Sequence, residues 1–113
     1  MTSVFQMFLL LVINVMSFKL PEVINLRQEY CDVYIGRGSL WGNPFIIGEH
    51  GTRDNVILKY EKYLTDKIQS GEITKQNLKS LSGKTLGCYC KPDKCHGDII
   101  VKLFKETFIN DKL

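Results

Sequence analysis

The chain has 113 residues, 44% of them hydrophobic and 24% charged, which suits one soluble domain with its own core and excludes a disordered segment. Its formal net charge of +3 is mild. That balance makes no strong case for a nucleic-acid surface, where basic residues crowd one face, and it remains compatible with a small phosphate-bearing ligand.

Residues 4–16 are apolar apart from Gln6 and Asn14. A membrane span needs about 20 apolar residues, so the stretch is too short. No Lys or Arg precedes it and no clean small-x-small cleavage pattern follows, as a secretory signal requires. Residues 1–16 are read as an over-extended start, with Met16 as the alternative first residue, or as an apolar leader; a packed N-terminal helix is the third reading. Residues 17–113 are read as a single α/β domain. The expected location is cytoplasmic, with no membrane partner unless the leader is real.

Strands are expected at residues 21–26 and at Asp32-Val33-Tyr34-Ile35, the second β-branched and aromatic and stopped by Gly36. Residues 36–51 hold five of the nine glycines and Pro44, a long ordered loop of the kind that carries function. Thr52 is the expected N-cap of a helix whose apolar face is Val56, Ile57, Tyr60, Leu64 and Ile68, closed by Ser70-Gly71. A weaker helix is expected over residues 74–81. Residues 84–89 read as a central, little-charged strand. The last helix runs over residues 97–108, with Ile99, Ile100, Leu103, Phe104 and Phe108 inward. The order predicts a small Rossmann-like α/β unit of about three strands, partly parallel, with three helices. Two loops follow strands, and parallel strands bring both to the sheet edge where ligands sit in such folds.

The densest chemistry is Cys88-Tyr89-Cys90-Lys91-Pro92-Asp93-Lys94-Cys95-His96-Gly97-Asp98. Three of the four cysteines crowd here, which argues against a disulfide framework and for a reducing compartment. Four readings stand. Cys88, Cys90, Cys95 and His96 have the composition of a zinc ligand set. Cys95, just before a helix, is a candidate activated thiolate, with His96 as base and Asp98 beside it. The helix start, with Gly97 allowing close approach, is a candidate anion site, backed by Lys91 and Lys94. Lastly, these residues are core and caps. Cys31 reads as plain core or a strand edge.

The other loop, Gly36-Arg37-Gly38-Ser39-Leu40-Trp41-Gly42-Asn43-Pro44-Phe45, combines turn glycines with a cation, an indole and an amide. Gly36 and Gly42 permit close backbone approach. Arg37 pairs with phosphate or carboxylate, Trp41 stacks on a planar ring, and Asn43 reads polar ring edges. The alternative is that Trp41 and Phe45 plug the core. His50 and Arg53 read as surface residues, with an addition to the pocket as the alternative.

These two loops, with Gly48-x-x-Gly51-Thr52-Arg53 between them, resemble the family called domain of unknown function 4326, found in bacteria, phages and large viruses. The resemblance spans roughly residues 21–105 in order. Tyr89 stands where the family usually has Trp, and members commonly begin near Pro21. The family name implies boundaries and residues rather than a reaction.

The expected function is a small nucleotide- or nucleoside-like ligand-binding domain, with Gly36, Arg37, Trp41, Gly42, Asn43, Cys90 and Gly97 at the ligand. Whether it is an enzyme is left open; any chemistry falls to Cys95, His96 and Asp98. The alternative is a zinc-stabilised, non-catalytic interaction module.

Overall fold

The computed structural model describes residues 18–109, so the expected leader or over-extended start, residues 1–16, lies outside the described residues. Strands β1 (Glu22–Asn25), β2 (Val33–Tyr34) and β3 (Thr85–Cys88) form one sheet in the order β1-β3-β2. Both pairings are parallel, not just part of them. Leu86 is the register centre, facing Val23 on one side and Val33 on the other. Leu86, Gly87 and Cys88 are all buried, and this uninterrupted burial is why β3 lacks polar alternation.

The second strand is shorter than its expected span, yet its flanks still bond to β3. Asp32 N donates to Thr85 O at 3.1 Å and Ile35 N donates to Gly87 O at 3.0 Å. The Asp32 carboxylate also accepts from Thr85 N at 2.9 Å and from Thr85 Oγ1 at 3.1 Å. These bonds hold its carboxyl below the usual carboxylate range, with the Thr85 backbone N–H the leading cause.

Parallel neighbours need a crossover, and between β2 and β3 it is helical. Helix α1 (Arg53–Ser70) starts at Thr52, whose side chain accepts from Asn55 N while the Asn55 side chain accepts from Thr52 N. Gly71 ends it in the left-handed region at φ 84°. Val56, Tyr60 and Leu64 are its buried face, and Ile57 and Ile68 are half-buried. Helix α2 (Lys75–Lys79) is shorter than expected, although Leu78 and Leu81 both still fill the core. Helix α3 (Gly97–Phe108) packs against β1, α1 and α2 and buries Ile99, Ile100 and Phe104. A fully buried side chain of this size contributes roughly 1.5–3 kcal/mol, so the core around Tyr60, Leu64, Leu86, Ile100 and Phe104 anchors the sheet edge from which both loops leave.

Candidate functional site

Because all strands run the same way, the loop after β2 and the loop after β3 emerge together. Between them lies a cleft of about 480 Å³, within the size range of small-molecule sites. Arg37, Asn43 and Phe45 come from the first loop, and Cys90, Lys94 and Cys95 from the second. Segments far apart in the chain thus wall one cleft. A smaller neighbouring hollow shares Arg37 and Asn43 and adds Gly42.

His96 joins the two loops. Its Nε2 lies 2.6 Å from the carbonyl oxygen of Ile35, the residue leading into the first loop. A carbonyl only accepts, so Nε2 carries the proton and Nδ1 is left as an acceptor. Nδ1 faces Cys95 Sγ at 3.6 Å. The ring also meets the Tyr60 ring edge-on, with centroids 5.0 Å apart. Burial lowers the His96 pKa, which keeps the imidazole neutral.

The three clustered cysteines converge. The Sγ atoms of Cys88, Cys90 and Cys95 all lie within 4.8 Å of one another, and those of Cys88 and Cys95 are 3.1 Å apart. This cluster can hold a metal ion. Burial pushes the Cys95 thiol well up, against a smaller pull from the Gly97 N–H at 3.4 Å. The reading of Cys95 as an activated thiolate meets that obstacle: desolvation outweighs the helix terminus.

Several expected roles find different geometry. Trp41 is 5% exposed and does not line the cleft; its carbonyl accepts from the buried Tyr60 hydroxyl at 2.6 Å, so the indole plugs the core. Aromatic walls come instead from Tyr34, Phe45 and Tyr89. Asn43 lines the cleft, but its amide braces the loop, donating to Val56 O at 3.3 Å and accepting from Phe45 N at 2.9 Å. Gly42 sits where a Cβ would lie 2.7 Å from Gly36 O, so it serves a tight turn, while Gly36 reaches the cleft.

The start of α3 is closed rather than open to an anion. Gly97 is buried, and a Cβ there would lie 2.8 Å from Ile35 Cδ1 and 2.9 Å from Val23 Cγ2. The Gly97, Asp98 and Ile99 N–H groups point to Cys95 Sγ, Cys95 O and His96 O. Asp98 staples the second loop, accepting from Lys91 Nζ at 2.7 Å and Cys95 N at 3.2 Å. Of His50 and Arg53, for which the pocket was the secondary reading, Arg53 lines the cleft and donates to Lys94 O at 3.0 Å. Its place directly after the Thr52 N-cap was the available signal, since the first helical residue lies next to the preceding loop.

No described helix is long and apolar enough to cross a membrane. The family model for domain of unknown function 4326 matches residues 22–106. Among the relatives, a protein of Enterobacteria phage T4, described as an uncharacterized 12.4 kDa protein in the nrdA-td intergenic region, is 42% identical over 93 residues, covering 82% of this chain and 85% of that protein. An uncharacterized protein of Acanthamoeba polyphaga mimivirus is 34% identical over 95 residues, covering 68% of this chain and 69% of that one. No solved structure matches the chain significantly. The chain belongs to the family of domain of unknown function 4326.

Proposed function

We propose that this family member binds a small nucleotide- or nucleoside-like ligand in the cleft between its two loops. The observation that carries the reading is the cleft's make-up at the carboxyl ends of parallel strands: cationic Arg37, Arg53 and Lys94 around apolar and aromatic walls. Arg37 is exposed and forms no ion pair among the described residues. Among the described residues the Lys94 ammonium pairs with Asp54 alone, at 3.3 Å on the open surface, a pairing of little strength. A phosphate fits these cations, and a planar ring fits Tyr34 and Phe45.

A thermal-shift panel of nucleosides, nucleoside monophosphates and inorganic phosphate tests the reading. A ligand at a hundred times its Kd stabilises the folded state by about 2.7 kcal/mol, on the order of 10 °C for a domain of this size. At least one nucleotide is expected to raise the wild-type melting temperature, and to raise that of Arg37→Ala less. A panel that leaves the wild type unmoved contradicts the proposal.

A second reading, a zinc-stabilised interaction module without catalysis, is favoured by the sulfur convergence. Zinc at about 2.3 Å from each tetrahedral sulfur sets sulfurs about 3.8 Å apart, and the 3.1 Å pair inside a 4.8 Å cluster brackets that spacing. It predicts stoichiometric zinc in the purified chain and unfolding by chelators.

A further inference from the structure

Three sulfurs meet at one place, and among the described residues no fourth ligand atom lies within 4.8 Å of all of them. Cys88 ends β3, Cys90 follows in the loop, and Cys95 precedes α3; only these three side chains fall within the 4.8 Å group. Two nearby side chains could close a four-coordinate site, and neither is in the group. His96 has its Nε2 on the Ile35 carbonyl at 2.6 Å and its free Nδ1 3.6 Å from Cys95 Sγ, yet it stays outside the 4.8 Å group that the three sulfurs form. The Asp98 carboxylate is held by Lys91 Nζ and Cys95 N. All three cysteines line the cleft, and Cys90 is only partly buried.

We propose that Cys88, Cys90 and Cys95 hold one Zn²⁺ whose fourth coordination position opens into the cleft and takes a neutral nitrogen or oxygen donor of the ligand bound there. The proposal rests on the cation reading of the sulfur cluster and not on the identity of the ligand. Structural zinc sites are closed by four protein ligands, whereas sites that act on a substrate have three and keep one position for water or substrate. The arrangement here is of the second kind. Binding breaks three S–H bonds, forms three Zn–S bonds and releases three protons to solvent. A dication with three thiolates carries one net negative charge, which disfavours a phosphate oxyanion at the metal. That leaves the anionic end of a ligand to Arg37, Arg53 and Lys94, and brings its uncharged ring or hydroxyl end to the zinc. Water occupies the position when the cleft is empty.

The test uses the full chain, purified reduced, with elemental analysis followed by replacement of zinc with Co²⁺. About one equivalent of zinc is expected in the wild type and in Cys31→Ser, whose thiol packs on Gly87 away from the cluster. Cys90→Ser is expected to lose stoichiometric metal while remaining folded by circular dichroism, because Cys90 is the least buried of the three. The Co²⁺ form is expected to show thiolate charge-transfer absorption, and added imidazole is expected to shift its visible bands. A wild type without metal overturns the cation reading and this proposal together. Stoichiometric metal with a cobalt spectrum indifferent to imidazole leaves the cation reading standing and overturns the open position.

Discussion

The imidazole of His96 is fixed by the Ile35 carbonyl on one side and the Tyr60 ring edge on another, so a single side chain ties the entrance of the first loop to the end of the second. His96→Phe conserves a ring but leaves the Ile35 carbonyl without its donor, and is expected to cost about 1–3 kcal/mol in urea unfolding. Asp32 is the corresponding clasp at the other end of β2. Its folded-state pKa is depressed by the Thr85 backbone and hydroxyl hydrogen bonds. That stability is therefore present above the ordinary carboxylate pKa and is lost as pH falls through the lower folded value. Asp32→Ala is expected to be less stable than wild type at neutral pH, with the difference shrinking as pH falls below the ordinary carboxylate range; a pH-independent difference would refute this. At this scale the sequence was legible where chemistry is sparse: Arg37 and the three cysteines stand out by type and spacing, and they do line the cleft. Trp41 was not legible as core, because an indole after a glycine turn looks the same whether it faces a ligand or is buried in the core.

The elements place the loops, and their ends carry most of the specification. Thr52 and Thr74 each head a reciprocal cap, with Asn55 and Asn77 as partners. Thr52→Ala is expected to cost about 1 kcal/mol by thermal or urea unfolding. Helix α3 has no side-chain cap and is seated instead by close packing of Gly97 on Ile35 and Val23. Gly97→Ala forces an extra methyl into that contact and is expected to destabilise by about 1–3 kcal/mol, more than a helix-favouring substitution on an exposed turn. The Thr52 cap, the Gly71 stop, the apolar periodicities and the order of elements were readable, whereas the Thr74 cap was not read and the expected side-chain cap at His96 is not formed. The limits of β2 were not, since Asp32 and Ile35 bond to β3 without counting as paired strand, and pairing is decided by a partner about fifty residues away along the chain. The length of α2 was missed for a related reason: Leu81 stays inward in a turn after the helix has ended.

At the scale of the whole molecule, parallel pairing on both sides of β3 turns two distant loops into the walls of one cleft. Convergence followed from the expected sheet, because strands that run together deliver their loops to one edge. The division of labour inside the cleft required the fold: aromatic walls from Tyr34, Phe45 and Tyr89, cations from three separate segments, and thiols at one place. The most direct measurement is a titration of isotope-labelled chain with nucleoside monophosphates, read as backbone amide shifts by nuclear magnetic resonance. The account predicts saturable shifts in both the Arg37–Ile47 and the Tyr89–Lys94 segments with one shared Kd. Shifts confined to one of these segments, or none at all, would contradict it.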